Sequence, residues 1–198
     1  FVRPLETATG VWFCGGWRER LNYRFVGEFP RQTRFQQALV GVVRRGGIVG
    51  GTSAGMAILP EVITLSDERE SYYSQAYAVP AHGFGLLKGA IVEQHFDTRG
   101  GRLERFTRLL RDNDQLDQLA GRRGAGARMI GLAVEEDAGL FLRGDRVEVL
   151  SGKVHVFIKS NSGRSVAWHE LLPGDSAQLK RGVPATATLA FEQNELVR

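Results

Sequence analysis

The chain has 198 residues and a mass of 21.9 kDa, and 42% of its residues are hydrophobic while 24% are charged. This composition is that of one globular domain and excludes a disordered, collagen-like or coiled-coil chain. The 26 Lys and Arg and the 22 Asp and Glu give a net charge of +4 that is spread along the sequence, so we expect no nucleic-acid partner. Glycines or charged residues interrupt every apolar stretch before the roughly 20 residues of a membrane span, so we expect no membrane partner either.

The first two thirds of the sequence alternate short apolar runs with helical patterns. The apolar runs predict buried strands over residues 10–14, 48–49, 90–92 and 129–134. Apolar residues at helical spacing predict helices over 31–45, 54–59 and 102–119. The polar, Tyr-rich stretch 61–81 has no clean period and predicts a surface loop over a site.

The last third changes character. Alternating runs over 145–150, 153–158 and 186–191 are separated by turn residues, as in antiparallel hairpins. We therefore expect a single α/β domain over 1–198, with a parallel sheet flanked by helices and antiparallel additions at the C-terminal end. Ligands of such sheets bind at the carboxyl ends of the strands.

One motif at such a strand end predicts a nucleophile. Residues 51–55 read Gly-Thr-Ser-Ala-Gly, a G-x-S-x-G pattern between a predicted strand and a predicted helix. The glycines permit a tight reversal that pushes the Ser53 hydroxyl outward, and the N–H of Ala54 would face an oxyanion on an attacked carbonyl. The alternative is a simple turn or a phosphate-binding loop, although Met56 stands where a P-loop has its lysine.

A serine nucleophile needs a base, and the base needs an acid. His95 is the best-placed base because it follows a predicted strand; the other histidines are His82, His155 and His169. Glu136 lies just after the predicted strand 129–134 and is the predicted acid; Glu135 and Asp137 are the alternatives. The order Ser, His, Glu differs from that of α/β-hydrolases, but triads are defined by geometry.

Four blocks of the sequence resemble a known family. They are GVWFCGG at 10–16, GGIVGGTSAGMAI at 46–58, GFGLLKGAIVEQHFDTRGGRLERF at 83–106 and IGLAVEEDAGL at 130–140. Together they resemble the cyanophycinase branch of the serine peptidases, which includes dipeptidase E. The resemblance implies a class I glutamine-amidotransferase-like (flavodoxin-like) fold, a homodimer, and a serine hydrolase that cleaves aspartyl peptide bonds through Ser53, His95 and Glu136. It also implies an oxyanion hole formed by Gly16 and Ala54, and a substrate pocket lined by Gln94.

The chain departs from the family pattern near this pocket. Trp17 and Arg18 stand where cyanophycinases typically have Asp-Gln, and Glu93 stands where they usually have Asp. Arg99 belongs to a group with Arg102 and Arg105 that resembles the family's arginine-rich segment. We expect Arg18, Glu93 and Arg99 to contact substrate, whereas a solvated helix face is at least as good an explanation of the other two arginines. The family's first strand and its glycine-rich loop would precede Phe1, and we expect them to be missing from this domain.

Several further expectations concern cofactors, location and alternatives. Cys14 follows an apolar run and is expected to be a small buried residue, and the histidine spacings predict no metal site and no cofactor. We expect a cytoplasmic protein, with secretion open because the sequence begins with Phe1 and not Met. The alternatives to the hydrolase are a catalytically silent binding or assembly protein on the same fold and an Asp-specific dipeptidase.

Overall fold

The computed structural model describes residues 2–27, 33–66, 78–160, 163 and 165–179, which form an α/β fold with mixed sheets. Its helices are α1 (Arg18–Phe25), α2 (Arg34–Arg44), α3 (Ala54–Ala57), α4 (Arg102–Arg111) and α5 (Asn113–Ala120), with 3₁₀ turns at Arg3–Glu6 and Gly126–Arg128. Its strands are β1 (Gly10–Phe13), β2 (Ile48–Gly51), β3 (Val62–Ser66), β4 (Ala78–His82), β5 (Ala90–Glu93), β6 (Ile130–Val134), β7 (Gly139–Arg143), β8 (Arg146–Ser151), β9 (Val154–Lys159), β10 (Val166–Leu171) and β11 (Ser176–Gln178).

Two pairs of the described strands are parallel, and the other pairs are antiparallel. β1 pairs with β2, and β5 pairs with β6, both in parallel. β9 lies antiparallel to β6 and β10, because it returns from the β7–β8 hairpin without a crossover helix. The expectation of one parallel sheet is therefore wrong for the described strands, which place the two parallel pairs in separate sheets. The antiparallel additions after β6 are confirmed.

The four-stranded sheet β10-β9-β6-β5 has a core on each face. On one face Val92, Leu132 and Val156 belong to a cluster that also contains Val147 and Val149 of β8. On the other face the neighbouring positions pack with α4, where Phe106 is fully buried. Burying each such side chain contributes about 1.5–3 kcal/mol, which fixes the strand ends relative to one another.

Helix α2 illustrates how sequence signals define an element next to β2. Thr33 caps the helix: its hydroxyl accepts from the Gln36 N–H at 3.2 Å, and the Gln36 side chain accepts from the Thr33 N–H at 2.8 Å. Leu39 and Val42 are fully buried, and the chain then turns through Gly46 into β2. The predicted helix over 31–45 is thus confirmed for 34–44.

Other predicted elements need correction. The stretch 61–81 was expected to be a loop, but Val62–Ser66 and Ala78–His82 pair as antiparallel strands; residues 67–77 lie outside the described residues, as does the predicted strand 186–191. The single helix expected over 102–119 is two helices, because Asp112 ends α4 and caps α5 by accepting the Gln115 N–H at 3.2 Å. Cys14 is exposed, so its assignment as a buried residue was wrong: β1 already ends at Phe13.

Candidate active site

Ser53 lies on a strained turn between β2 and α3. Its backbone has φ 55° and ψ −123°, a conformation that costs a non-glycine residue about 1–3 kcal/mol. The glycines on either side are required: a Cβ on Gly51 would collide with the backbone of Gly55, and a Cβ on Gly55 would collide with the carbonyl group of Phe13 in β1. The turn can therefore form only with the small residues that the sequence supplies.

His95 brings its imidazole to the Ser53 hydroxyl. The Ser53 Oγ and the His95 Nε2 are 2.7 Å apart, and His95 also has a positive φ, 51°, just beyond the end of β5. The other ring nitrogen, Nδ1, donates to the Oε2 of Glu136. Because that carboxylate accepts the Nδ1 proton, Nε2 is free to accept the serine proton. The structure thus brings together Ser53, His95 and Glu136, the three residues predicted from the sequence.

Two residues that the sequence analysis missed hold Glu136. The hydroxyl of Thr98 donates to the Glu136 Oε2 at 3.1 Å, and the Oδ1 of Asp97 accepts the Glu136 N–H at 2.9 Å. The hydrogen bond from His95 lowers the pKa of Glu136, and although partial burial opposes this, the Thr98 bond adds to the lowering. The signal was present in the sequence, since both residues follow His95 directly in the polar loop after a predicted strand.

The other acidic and histidine candidates make other contacts. Glu135 pairs with His155, whose Nε2 lies 2.8 Å from the Glu135 Oε1. His82 ends β4 and pairs with Val62, and His169 lies on β10. The main-chain carbonyl of Asp137 accepts from Ser151 at 3.2 Å, a contact that only steadies the turn. Glu136 is thus the member of the acidic run that hydrogen-bonds His95.

Gly15, which precedes the predicted oxyanion residue Gly16, lies close to Ser53. An added Cβ on Gly15 would be 3.0 Å from the Ser53 Cβ and 3.5 Å from its Oγ, so the Gly15–Gly16 loop passes directly over the serine. Gly16 has φ 145° and is exposed. Ala54 is the buried first residue of α3.

A buried ionic cluster lies two residues before His95. The Glu93 carboxylate is fully buried and contacts Arg102 at 2.5 Å and Arg18 at 3.3 Å. A third guanidinium, that of Arg105, lies 3.3 Å from its other oxygen. Arg18 and Glu93 also share the hydroxyl of Thr64, which donates to Glu93 at 3.1 Å. A solvated helix face for Arg102 and Arg105 is therefore wrong, because both side chains are buried.

The cluster shifts the pKa values of its members in opposing ways. Burial alone would raise the pKa of Glu93, but the three guanidinium groups outweigh it and lower that pKa to about 2. Burial lowers the pKa of Arg105 to about 10, although the Glu93 charge opposes that change. Glu93 is therefore ionised at neutral pH and is held in place by its cations.

A cavity of about 860 Å³ opens next to the serine. Its wall includes Ser53, Gln94, His95 and Glu136, and apolar side chains from β5, β6 and β7 form much of the rest. The Gln94 side chain is buried, and its Oε1 has no hydrogen-bond partner. Arg99 is half-buried, and its charge contributes to the lowered pKa of Glu136.

The described ranges contain neither a metal cluster nor a membrane-spanning helix. Within them, no three His, Cys, Asp or Glu residues are placed to hold a metal ion. None of the helices there is both long and apolar enough to pass through a membrane.

Comparison with known proteins finds a partial similarity of the chain to cyanophycinases. No family model matches the chain. A cyanophycinase from Synechococcus elongatus and one from Thermosynechococcus vestitus are each 35% identical over 104 residues, which are 52% of this chain and 30% of theirs. A cyanophycinase from Geminocystis herdmanii is 26% identical over 167 residues, 83% of this chain and 54% of that protein. The chain is similar in part to cyanophycinases. It spans about half, or less, of the length of these relatives.

Proposed function

We propose that the chain is a serine-type hydrolase that cleaves aspartyl peptide bonds. The observation that carries this proposal is the continuous hydrogen-bonded series from the Ser53 Oγ through both ring nitrogens of His95 to Glu136. The partial similarity to cyanophycinases supports a peptidase over other hydrolases. The two positive φ values at Ser53 and His95 also support it, because backbone strain of this kind clusters at active sites.

The proposed reaction has two halves. In the first, the Ser53 Oγ attacks the scissile carbonyl carbon while its proton moves to the His95 Nε2, and the N–H groups of Gly16 and Ala54 stabilise the oxyanion. The C–N bond then breaks, and His95 gives the proton to the leaving amine, which leaves an ester on Ser53. In the second half, His95 takes a proton from water, the water oxygen attacks the ester, and the acid product departs as Ser53 regains its proton.

Glu136 has a supporting role in both halves. It fixes His95 in the tautomer with the proton on Nδ1, and it stabilises the imidazolium that forms when Nε2 takes the serine proton. Its lowered pKa keeps it ionised wherever His95 can act as a base. Because the side chain is 46% exposed, the bond from Thr98 is needed to hold the carboxylate in one orientation, and the bond from the Glu136 N–H to Asp97 holds its backbone.

The proposed substrate contacts differ in part from those expected from the sequence. Gln94 lines the cavity with an unpartnered amide oxygen, which suits an N–H donor of a peptide. Arg99 is proposed as a second contact near Glu136. Arg18 and Glu93 pair with each other and with the other buried arginines, so we assign them to the support of the pocket and not to direct substrate binding.

The remaining expectations also stand as proposals. The succession of β2, the Ser53 turn and α3 supports a class I glutamine-amidotransferase-like arrangement over a single domain. A homodimer is proposed on the family resemblance alone, and analytical ultracentrifugation of the full chain would test it: sedimentation as a monomer at micromolar concentration would contradict it.

Hydrolysis assays test the proposed function. The substrates are a poly-aspartate backbone carrying β-linked arginines and the dipeptide β-Asp-Arg, offered separately. The wild type should release product from at least one of them, and Ser53→Ala should lower turnover by about 10⁴-fold or more. Ser165→Ala, which changes an exposed serine far along the sequence, is the matched control.

The two substrates also separate the alternatives. Cleavage of the polymer favours a cyanophycinase-type activity, and cleavage of the dipeptide alone favours a dipeptidase. A folded wild type that cleaves neither substrate would contradict the hydrolase and favour the binding protein. Equal turnover by Ser53→Ala and the wild type would contradict the assignment of the nucleophile.

A further inference from the structure

A second Glu–His pair adjoins the first. Glu135 precedes Glu136 in the sequence, and its Oε1 lies 2.8 Å from the Nε2 of His155 on β9. The His155 side chain is 6% exposed, in contrast to the open position of the Glu136 carboxylate. The Glu135 carboxylate accepts the Nε2 proton, so the neutral ring has no proton on Nδ1. That nitrogen is buried, lacks a hydrogen-bond partner and lies 3.9 Å from the Glu170 Oε1.

The ring of His155 also packs against the residue that follows His95. Its centroid is 4.9 Å from that of Phe96 and 5.1 Å from that of Trp168, so the imidazole lies between two aromatic rings. Phe96 in turn packs edge-on against the buried Phe157. His155 therefore contacts side chains next to both members of the His95–Glu136 pair.

We propose that His155 is a positioning residue for the His95–Glu136 pair, acting through its hydrogen bond to Glu135; this rests on the proposed function. Two main-chain bonds already hold the backbone nearby: the Glu135 N–H donates to Lys153 at 3.2 Å, and the Phe96 N–H donates to Val134 at 3.1 Å. The His155 contacts add side-chain anchors to the same two segments. Small displacements of reacting groups can change rates by up to about 100-fold, so His155 can affect catalysis although it is not among the residues that line the cavity.

The charged neighbours of His155 are few and identifiable. Glu135 faces Nε2, and Glu170 faces Nδ1 while it pairs with Lys153 at 3.1 Å. The packing alternative is that His155 only fills the core between Phe96 and Trp168. The two explanations differ in one respect: positioning requires the hydrogen bond to Glu135, and filling requires only the volume of the ring.

Labelling of Ser53 by a fluorophosphonate distinguishes the positioning explanation from the packing explanation. In this reaction an oxygen–phosphorus bond forms at the Ser53 Oγ, the phosphorus–fluorine bond breaks, fluoride leaves, and the serine proton moves to His95. The measured quantities are the maximal rate of labelling and the probe concentration that gives half of it. His155→Leu removes the donor, whereas His155→Gln keeps an N–H near the position of Nε2, and both remove the ring.

Positioning predicts a specific pattern. His155→Leu should lower the maximal labelling rate by about tenfold with less than about a twofold change in the half-saturating concentration, and His155→Gln should restore most of the rate. Glu135→Leu should be as slow as His155→Leu, and the double variant should be no slower than either. His169→Gln, on the exposed part of β10, should label at the wild-type rate.

The other outcomes contradict the proposal in distinguishable ways. An unlabelled but folded wild type would overturn the proposed function itself. A labelled wild type with an equally fast His155→Leu, or with His155→Gln as slow as His155→Leu, would overturn only the positioning role. Should His155→Leu fail to fold, Glu135→Leu carries the test alone, because the Glu135 side chain is 24% exposed whereas that of His155 is 6% exposed: a wild-type labelling rate in it would overturn the role.

Discussion

The end of β5 carries two ionisable clusters that differ in almost every physical respect. Glu93 is fully buried, has three guanidinium neighbours and has a pKa lowered to about 2. His95, two residues later, is partly exposed and makes one short series of bonds from Ser53 to Glu136. The first cluster is sealed and highly charged, while the second is open to a cavity and holds one carboxylate next to a ring that can accept a proton.

The two clusters therefore differ in what they contribute: the Glu93 cluster to the stability of the fold, and the His95–Glu136 pair to reactivity. A buried carboxylate that is surrounded by cations is strongly coupled to the fold, because removing it leaves several buried charges uncompensated. The open pair costs less to disturb, since water replaces lost hydrogen bonds at an exposed carboxylate. Variants of Glu93 should therefore affect unfolding, and variants of Glu136 should affect turnover.

Among variants of the two clusters, Glu136→Gln should have the largest effect, and that effect is on activity. The amide keeps the size of the side chain but cannot stabilise an imidazolium, so turnover should fall by about 10³-fold or more. The free energy of unfolding should change by less than about 1 kcal/mol, because the side chain is 46% exposed. Turnover and urea unfolding measured on the same preparation check both halves. A loss of stability with unchanged turnover would reverse the assigned roles.

Glu93→Gln should have the opposite profile. It leaves Arg18, Arg102 and Arg105 buried without their carboxylate, and the free energy of unfolding should fall by about 3–5 kcal/mol. The matched control is Glu104→Gln, which removes an exposed ion pair with Arg108 on α4 and should cost less than about 0.5 kcal/mol. Similar losses in the two variants, measured by urea unfolding, would show that the buried cluster does not stabilise the fold.

The difference in unfolding free energy between the wild type and Glu93→Gln should depend on pH. The pKa of Glu93 is lowered from 4.5 to about 2, so its ionisation stabilises the fold fully above pH 4.5, and this stabilisation is lost as the pH falls to 2. The gap in unfolding free energy between the wild type and Glu93→Gln should therefore narrow by roughly 3 kcal/mol across this range. A gap that is constant from neutral to acid pH would contradict a lowered pKa for Glu93.

Among variants of the two clusters, Arg18→Gln should have the smallest effect. It removes one cation and the bond to Thr64, but Arg102 and Arg105 still compensate Glu93, so the free energy of unfolding should fall by only about 1–2 kcal/mol. Urea unfolding alongside Glu93→Gln gives the comparison. A loss of unfolding free energy as large as that of Glu93→Gln would show that Arg102 and Arg105 do not compensate Glu93 in the absence of Arg18.

The elements around Ser53 were predictable because their signals are local. Glycines on either side of Ser53, an apolar run before it and a proline at the end of the next helix fix the strand, the turn and α3 within a dozen residues. His95 and Glu136 were predictable from local signals too, because each lies two residues beyond the end of an apolar strand, β5 or β6. Parallel pairing of those strands then brings the two residues close together.

The buried cluster and the β3–β4 pair could not be predicted in the same way. Arg102 and Arg105 lie on a helix whose polar residues usually face water, and only the distant Glu93 and Arg18 make their burial possible. β3 and β4 are separated by residues 67–77, so their pairing depends on contacts that no local pattern encodes. The exposure of Cys14 likewise depends on where β1 ends. The apolar run predicts that end only to within one residue, and β1 ends at Phe13.

Mass spectrometry of the fluorophosphonate adduct tests the central claim most directly. The wild type should carry one adduct, on the peptide containing Ser53, and His95→Ala should carry none under the same conditions, because the serine then has no base within reach. A folded wild type without an adduct on Ser53, or equal labelling of that serine in His95→Ala, would contradict the account.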